Sequence, residues 1–422
     1  MIRLLILFIA IITFTNSANA QKGQKLVPPT SGIYAGVFPD MGNTEDSLTT
    51  ERIQEYLNIT GTQPVWICFS NSWFYGIKFP MEKARSVAEF NSIPYIRIMP
   101  RSDWGMGRPD PVYGLDKIAD GNFDEDLIRW AKDAKRFGKP ILVEFAPEMN
   151  GNWFPWSGAF NFEEEGADLY KEAHRHVVEL MREAGADNLT WMYHVNAVSE
   201  PNADWNRFKS YYPGDEYIDW LGMSVYGSQK VGWPWAFFFP YFRNAYRELE
   251  KLSKVKPIAI AEFGVVEDPS AGNKADWIRD AFETVLSGKF PRLKAISYWH
   301  SSFDNADGSI SNMRVDSSPE ALRVYNEFIN MEEFKVKDMV VVKSKKYIGI
   351  IEETDLLDRN NIDDKLETYS LDLKKPFVFK NQHIFEVIGL FVEFDVDVLP
   401  VLNENSEYLG LITSKKILQY LS

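Results

Sequence analysis

Eight short apolar runs alternate with longer amphipathic stretches between residues 33 and 300 of the 422-residue chain. Each run is rich in β-branched and aromatic residues and is bounded by Gly, Pro or Asn. Continuous apolar runs of this length are typical of strands that are buried on both faces. The runs are Ile33–Phe38, Val65–Phe69, Ile93–Met99, Ile141–Phe145, Leu189–His194, Ile218–Val225, Ile258–Phe263 and Ala295–His300.

Several of the intervening stretches repeat apolar residues at i, i+3, i+4 and i+7, the spacing of an amphipathic helix. They are Leu127–Phe137, Ala167–Ala184, Phe242–Leu252 and Lys274–Leu286. Eight β–α units of this kind predict a (β/α)8 barrel, of the α/β class, over residues 32–330. A doubly wound open sheet is the alternative. Neither a GxGxxG motif nor a P-loop follows an early run, so the sequence does not support a nucleotide site in this part of the chain.

Composition restricts the function of the predicted barrel. Lys and Arg total 46 against 60 Asp and Glu, a net charge of −14, which disfavours nucleic acid and anionic membranes as partners. The single Cys68 excludes an intrachain disulfide and a cysteine-based zinc site, and only five His are present, so we predict no metal or cofactor. All 13 Trp lie between Trp66 and Trp299. Their faces suit stacking against sugar rings, although packing in the core is the alternative for each one.

The N-terminus predicts export from the cytoplasm. Residues 1–20 combine Arg3, the apolar run Leu4–Phe14 and the small residues Ala18 and Ala20, which together are typical of a cleaved signal peptide. An N-terminal membrane anchor is the alternative. Residues 21–31 then form a linker, and we expect a secreted or periplasmic protein with no membrane association after cleavage.

Two glutamates lie at the ends of the predicted strands where a barrel builds its active site. Glu148 follows the fourth run and Glu262 ends the seventh, and the C-terminal ends of barrel strands carry the catalytic residues. Cleavage of a glycosidic bond needs one carboxylic acid to protonate the leaving oxygen and one carboxylate to attack the anomeric carbon. We therefore predict a polysaccharide hydrolase. The alternative is that either glutamate belongs to a structural ion pair.

Two motifs resemble glycoside hydrolase family 26, whose members are (β/α)8 barrels. They are the segment EMNGNWFPW at Glu148–Trp156 and the segment RVDSSPEAL at Arg314–Leu322, and the resemblance covers residues 32–330. It implies a retaining mechanism with Glu148 as general acid/base and Glu262 as nucleophile. The family consists mainly of endo-β-mannanases, and some members cut β-1,3-1,4-glucan or β-1,3-xylan. A barrel that binds glycan without cleaving it remains a rival.

This sequence departs from the family pattern beside the acid/base. The residue before it is usually His and here is Pro147, and an Arg four residues before it is here Glu144.

Further aromatic and polar residues are candidates for binding substrate. Tyr226, after the sixth run, resembles the family tyrosine that hydrogen-bonds the nucleophile, and Trp299 is expected to form the floor beneath the reacting sugar. Flanking sugars are expected to meet Trp153, Trp156 and Trp233, and sugar hydroxyls to meet His194 and Asn196. Packing in the core or in a loop is the alternative for these residues, and Arg97 is expected to pair with a carboxylate at the rim.

The chain changes character at about residue 331, beyond which no Trp occurs. Two similar segments, Val340–Leu357 and Val398–Leu418, each predict strand, polar turn, strand and helix. The second segment, with a preceding helix at Lys380–Phe394, resembles a CBS module, and the first resembles a CBS module that lacks its opening strand and helix. The resemblance implies dimerisation or adenine nucleotide binding as candidate roles for residues 331–422, with a gene fusion or an assembly artefact near Asn330 as the alternative.

Overall fold

The computed structural model describes residues 25–29 and 31–334, which include the whole of the predicted barrel apart from its linker. In the C-terminal part it describes residues 338–343, 346–352, 376–380, 382–394, 396, 398–404, 408–413 and 417. The predicted signal peptide, residues 1–20, lies outside the described residues.

Eight parallel strands close into a barrel in the order β1 to β8. Closure is visible at Gly36, which pairs with Trp66 on one side and with Ser297 on the other. The barrel prediction is therefore confirmed and the open-sheet alternative is wrong. The strands are β1 Tyr34–Phe38, β2 Trp66–Ser72, β3 Ile93–Met99, β4 Ile141–Phe145, β5 Leu189–Asn196, β6 Trp220–Tyr226, β7 Ile258–Gly264 and β8 Leu293–Trp299.

The helices surround the barrel and bury their apolar faces against it. Helix α4 shows why these stretches are helical, because acidic Asp124, Glu125 and Asp126 lie in its first turn and Lys135 and Arg136 in its last, where each sign of charge complements the helix dipole. Gly138, with φ 77°, ends this helix in the left-handed conformation that favours glycine. The helices of the barrel are α1 Thr50–Thr60, α2 Met81–Glu89, α3 Leu115–Ala119, α4 Asp124–Phe137, α5 Glu164–Glu183, α6 Phe208–Tyr211, α7 Phe238–Leu252, α8 Lys274–Leu286 and α9 Pro319–Ile329.

Aromatic side chains fill much of the barrel interior. Trp66 makes edge contacts with Tyr95 at 6.0 Å and with Trp220 at 6.4 Å between ring centroids. A Cβ at Gly36 would lie 1.9 Å from Trp66 Nε1, so the indole occupies the space that a side chain on β1 would need. Six tryptophans are fully buried: Trp66, Trp73, Trp130, Trp156, Trp191 and Trp220. Much of the tryptophan content therefore forms core rather than a sugar-binding surface.

The segment after β8 returns to the start of the barrel. It forms a short hairpin of β9 Ser302–Asp304 and β10 Ile310–Asn312 before α9. Arg314 then contacts Asp40 at 2.6 Å and Glu55 at 2.9 Å, joining this segment to the residues around β1 and α1. After α9, the carbonyl of Glu333 accepts a hydrogen bond of 2.7 Å from the amide of Ile33, so the two ends of the barrel domain are adjacent.

The described C-terminal residues form two small sheets. Strands β11 Asp338–Lys343 and β12 Lys346–Glu352 pair as an antiparallel hairpin. In the second sheet, β13 Val378–Phe379 runs parallel to β14 Val398–Leu402, which pairs antiparallel with β15 Tyr408–Thr413. Helix α10, Ile384–Phe394, packs Val387 and Phe391 in a small core with Leu399. The strand–turn–strand predictions are confirmed, whereas the helices predicted after each segment lie outside the described residues apart from Ile417, which packs in the same small core.

Among all the residues that the structure describes, in the barrel and in the C-terminal part, no helix is both long enough and apolar enough to cross a membrane.

Candidate active site

Glu148 and Glu262 both lie at the C-terminal end of the barrel, where they were predicted to lie, and both are buried. Glu262 is on β7 and is 3% exposed, and Glu148 follows β4 by three residues. The backbone at Ala146 and Glu148 has φ values of 48° and 54°, and such left-handed non-glycine residues cost about 1–3 kcal/mol each unless their surroundings hold them. Here the amide of Glu148 donates to the carbonyl of His194 at 2.9 Å, which anchors this turn to β5.

Each of the two glutamates is oriented by an aromatic residue named in the sequence analysis. The hydroxyl of Tyr226 donates to Glu262 Oε2 at 2.8 Å, and Trp153 Nε1 donates to Glu148 Oε2 at 3.3 Å. Burial raises the pKa of Glu262 to about 7, and the charge of Glu148 adds to this rise while Arg97 opposes it. The two carboxyl groups therefore share one electrostatic environment at the mouth of the barrel.

Arg97 on β3 is the positive centre of this site. Its guanidinium contacts three carboxylates, with Nε 3.0 Å from Glu144, Nη1 3.1 Å from Glu45 and Nη2 3.1 Å from Glu262. Arg97 and Glu144 are direct neighbours in the register of β3 and β4. We define the Arg97 cluster as Arg97 with Glu45, Glu144 and Glu262. A buried guanidinium with several carboxylates is tolerated because each charge is paired, so the expectation that Arg97 pairs with a rim carboxylate is confirmed.

Glu144 and His194 form a second buried pair beneath the glutamates. His194 Nδ1 donates to Glu144 Oε2 at 2.7 Å and its Nε2 shares a 2.7 Å hydrogen bond with Ser224 Oγ. The hydroxyl of Tyr95 also donates to Glu144. Burial alone would raise the pKa of Glu144, but His194 and Arg97 outweigh it and hold this pKa below its ordinary value. Burial would lower the pKa of His194, but Glu144 reverses the shift and raises it.

This pairing explains how a glutamate can occupy the position where the family usually has arginine. The positive charges that balance Glu144 come from Arg97 on β3 and His194 on β5, the strands on either side of it. His194 is fully buried with both ring nitrogens bonded. The prediction that it donates to sugar hydroxyls is therefore wrong for this structure, because it has no free donor at the surface.

The same residues offer a set of potential metal ligands. Glu144, His194 and Glu262 place ligand atoms within 4.8 Å of one another. Arg97 contacts both of these glutamates, so a guanidinium already supplies the cation that such a set would bind. The chemistry of the donors therefore fits an ion-pair cluster better than a metal site.

Trp299 ends β8 beside the Arg97 cluster and is mostly covered. Its ring stacks on Phe38 with centroids 3.6 Å apart, lies 5.1 Å from the guanidinium of Arg97, and meets Tyr226 edge-on at 6.4 Å. The structure thus brings Trp299 together with Tyr226 and the groups around Glu262, the place expected for the floor of a sugar site.

The remaining candidates for substrate binding are dispersed. Trp156 is buried, stacks on Phe154 and donates Nε1 to the carbonyl of Pro147 at 2.7 Å, so its prediction as a surface for sugar is wrong and it supports the turn that carries Glu148. The amide of Asn196 donates to the carbonyl of Val198 at 2.7 Å. Trp233 is 55% exposed in the segment between β6 and α7, where no described contact joins it to the glutamates.

Two charged residues of the site were not singled out from the sequence. Glu45 lies between β1 and α1 and accepts from Ser70 Oγ at 2.8 Å in addition to Arg97. Arg101, just after β3, is buried and lies 3.6 Å from Glu45. Neither occurs in a motif, although Arg101 follows the third run by two residues, and the rule that sites form after barrel strands could have flagged it.

Two stretches of the chain match known protein families. Residues 115–269 match the family model of glycosyl hydrolase family 26, and residues 371–422 match that of the CBS domain. The chain is 33% identical over 220 residues to endoglucanase H of Acetivibrio thermocellus, covering 51% of this chain and 23% of that protein. It is 32% identical over 188 residues to a mannan endo-1,4-beta-mannosidase of Bacillus subtilis, covering 44% of this chain and 43% of the relative. The chain thus spans less than half the length of these two relatives.

Solved structures share the fold at low sequence identity. The catalytic domain of a GH26 endo-beta-1,4-mannanase from Bacillus sp. JAMB-750 superposes with a TM-score of 0.53 at 19% identity, covering 75% of this chain and 94% of that one. A modular endo-beta-1,4-mannanase from Cellulomonas fimi gives a TM-score of 0.52 at 18% identity, covering 76% and 79%. By its barrel and by these matches in sequence, the chain is similar to glycosyl hydrolase family 26 over residues 115–269 and to the CBS domain over residues 371–422.

Proposed function

We propose that the barrel is a retaining endo-β-glycanase that hydrolyses a β-linked plant or algal polysaccharide, with mannan as its substrate. The observation that carries the proposal is that two buried glutamates lie at the C-terminal ends of β4 and β7, where Trp153 contacts one and Tyr226 and Arg97 contact the other. The activity would be that of a mannan endo-1,4-β-mannosidase, the name that several relatives carry.

In the first step, a carboxylate oxygen of Glu262 attacks the anomeric carbon as the glycosidic bond breaks. The proton of Glu148 passes to the departing oxygen, so the sugar chain leaves as a neutral alcohol. Glu262 must be ionised for this attack. Its contact with Arg97 favours the ionised form against the effect of burial. The hydrogen bond from Tyr226 to Oε2 and the contact of Arg97 with Oε1 together fix the orientation of the carboxylate.

In the second step, water attacks the same carbon and the ester bond to Glu262 breaks. Glu148, now a carboxylate, takes a proton from the water. Both steps reuse the same two groups, so the product keeps the anomeric configuration of the substrate. No group beyond the side chains of this site is needed for either proton transfer.

Two other polysaccharides are alternative substrates of the same site. Matching relatives include endoglucanase H and the beta-1,3-xylanase TXYA of a Vibrio species, which favours trials of β-1,3-1,4-glucan and β-1,3-xylan beside mannan. Release of reducing ends from a panel of these three polysaccharides identifies the substrate. A wild-type protein that binds one of them without releasing reducing ends would instead be the non-catalytic glycan-binding barrel.

Two variants test the assigned roles separately. Glu262→Ala should lose nearly all hydrolysis, and added azide should yield a glycosyl azide of inverted configuration. Glu148→Ala should lose polysaccharide hydrolysis but retain its first step on an aryl glycoside with a good leaving group, and azide should then give retained configuration. Glu172→Gln, an exposed position in α5, is the control and should be unaffected. A Glu262→Ala or Glu148→Ala protein with near-native rates on polysaccharide would exclude the corresponding role.

Export and the C-terminal module complete the proposal. Residues 1–20 support secretion or delivery to the periplasm, which N-terminal sequencing of the mature protein tests through a start at Gln21. For residues 331–422 we propose dimerisation, or binding of an adenine nucleotide, as the role of the CBS domain. Calorimetric titration of the full chain with AMP and ATP tests nucleotide binding, and its mass in solution tests dimerisation. No binding of either nucleotide together with a monomeric mass would count against both roles.

A further inference from the structure

Glu144 on β4 is fully buried at the centre of the site, with no surface that a sugar could touch. Its Oε1 accepts from Arg97 Nε at 3.0 Å, and its Oε2 accepts from His194 Nδ1 at 2.7 Å and from the hydroxyl of Tyr95. A carboxylate this far from water is tolerated only with such partners. Any effect of Glu144 on the reaction must therefore act through the side chains that it holds.

The hydrogen bond from Arg97 to Glu144 sets the direction of the guanidinium. Because that group is planar and rigid, an acceptor on Nε also fixes where Nη1 and Nη2 point. Nη1 donates to Glu45 at 3.1 Å and to Ser70 Oγ at 3.3 Å, and Nη2 lies 3.1 Å from Glu262 Oε1. Glu144 thus determines which nitrogen of Arg97 meets the proposed nucleophile.

The two oxygens of Glu262 are held differently. Oε2 accepts a hydrogen bond from Tyr226 at 2.8 Å. Oε1 is buried, and among the described residues no donor is aligned for a hydrogen bond with it, so Arg97 attracts it as a nearby charge. The lone pairs of Oε1 therefore remain free to attack a carbon atom, while the cation beside it favours the ionised carboxylate.

His194 brings a second cation to the same carboxylate. One side-chain nitrogen or oxygen atom from each of Glu144, His194 and Glu262 lies within 4.8 Å of the other two. Ser224, which shares a 2.7 Å hydrogen bond with His194 Nε2, is the neighbour of Glu262 in the register of β6 and β7. Burial would lower the pKa of His194, but Glu144 reverses this shift and raises it. Glu144 therefore favours the charged form of the imidazole next to Glu262.

We propose that Glu144 is a positioning residue for Glu262, because it orients Arg97 and holds the imidazole of His194 beside the nucleophile without touching the sugar. This inference rests on the proposed function and deepens it, since it states how the nucleophile is kept ionised in a buried site. Charges fixed in place before the reaction are the usual source of such stabilisation. A glutamate on β4 that gathers cations from β3 and β5 thus takes the place of the arginine typical of the family.

Charged and titratable groups face Glu262 from five strands. They are Cys68 on β2, Tyr95 and Arg97 on β3, Glu144 on β4 with Glu148 after it, His194 on β5 and Tyr226 on β6, while Glu45 before α1 contacts Arg97. Burial has the largest effect on the pKa of Glu262 and raises it, whereas Arg97 and His194 each lower it by more than the charge of Glu144 raises it. If Glu144 were only a nearby charge, its loss would lower the pKa of Glu262. Loss of a positioning residue releases Arg97 and neutralises His194, so the pKa of Glu262 should rise.

The first test is the pH profile of kcat/KM on the polysaccharide that the barrel hydrolyses. Glu144→Gln keeps the shape of the side chain and removes its charge. It should move the acidic limb to higher pH by about one unit, the lower end of the effect of an opposite charge on a carboxyl. At about pH 6 this is roughly a tenfold loss of kcat/KM, carried by kcat, with KM changed by less than about twofold. Glu144→Asp keeps the charge and should shift the limb less.

Asp219→Asn is the matched control. Asp219 is a partly buried carboxylate that pairs with Lys25 at 2.8 Å and precedes β6, at the N-terminal end of the barrel. Its loss should lower the free energy of unfolding and leave the acidic limb in place, which separates position from stability. An acidic limb that stays in place or moves to lower pH in Glu144→Gln would overturn the proposal.

A second measurement needs no activity and uses Glu262→Gln in the wild type and in each Glu144 variant. The pH at which its gain in free energy of unfolding levels off marks the pKa of Glu262 in the folded protein, and this pH should be higher in the Glu144 variants. Glu144→Asp carries both tests if Glu144→Gln does not fold.

The two measurements separate the two proposals. If the wild type hydrolyses polysaccharide and neither the limb nor the levelling-off pH rises in the variants, the positioning role is refuted while the proposed function stands. If the wild type hydrolyses nothing but the levelling-off pH rises, the hydrolase proposal fails and Glu144 still positions Glu262. Neither hydrolysis nor a rise would overturn both.

Discussion

Replacement of the buried Glu262, the proposed nucleophile, should stabilise the protein while it abolishes activity. Glu262 is 3% exposed, and its pKa of about 7 compares with an ordinary value of 4.5. A pKa raised from 4.5 to about 7 means that ionising this carboxyl at alkaline pH destabilises the folded state by about 3 kcal/mol. The attraction of Arg97 is already included in that pKa, so the charge remains unfavourable even with its partner in place.

The direction of the pH dependence follows from the sign of the shift. Because the folded-state pKa is raised, the favourable contribution of Glu262 is complete below pH 4.5 and is lost as the pH rises to about 7. Glu262→Gln carries no such charge. Its free energy of unfolding should therefore equal that of the wild type near pH 4.5 and be about 3 kcal/mol higher than that of the wild type at pH 8.

Urea unfolding followed by tryptophan fluorescence, at several pH values, measures this difference. Glu172→Gln on the exposed face of α5 controls for loss of a carboxylate and should show no gain at any pH. A Glu262→Gln protein that is no more stable than the wild type at pH 8 would refute the reasoning, and so would a gain that is equally large at pH 4.5.

The other predictions concern the pH profile, the Arg97 cluster and the core. In the free enzyme, kcat/KM should fall about tenfold for each pH unit below about 7, because protonated Glu262 cannot attack the sugar; a profile flat down to pH 5 would contradict this. Arg97→Met should move the acidic limb of the pH–rate profile to higher pH and lower the free energy of unfolding by about 3–5 kcal/mol, because it leaves buried carboxylates unpaired. Arg97→Lys keeps a positive charge and should show smaller changes in both the pH–rate profile and the unfolding curve. Trp156→Ala should cost about 3–5 kcal/mol through the cavity that it leaves, and an unfolding midpoint equal to that of the wild type would show that Trp156 is not packed as described.

The architecture could be predicted from the sequence because strands buried on both faces leave continuous apolar runs. All eight runs became barrel strands, and Ile93–Met99 and Ile141–Phe145 have the predicted bounds. Tryptophan was a weaker guide, because an indole that fills a barrel and one that meets a sugar look alike in sequence. Trp66 and Trp156 are buried, whereas Trp153 contacts Glu148.

The site was predicted only in part, for a physical reason. Glu148 and Glu262 lie at recognisable positions, one just after β4 and the other near the C-terminal end of β7. The Arg97 cluster instead depends on pairing between strands and loops that are far apart in the chain, such as Arg97 with Glu45 and with Glu144. His194 lies near the C-terminal end of β5 and is polar, which made it a candidate for sugar binding. Local sequence could not reveal that Glu144 and Ser224 form hydrogen bonds with both of its ring nitrogens.

The hydrogen bond from Ile33 to Glu333 fixes where anything fused after the barrel must leave it. Ile33 directly precedes β1, so this junction lies at the N-terminal face of the strands, away from the glutamates. A module appended there can be gained, exchanged or lost in evolution without rebuilding the catalytic mouth. The adjacency also makes the barrel suitable for circular permutation, with a short bridge replacing this bond and new ends cut into an outer loop.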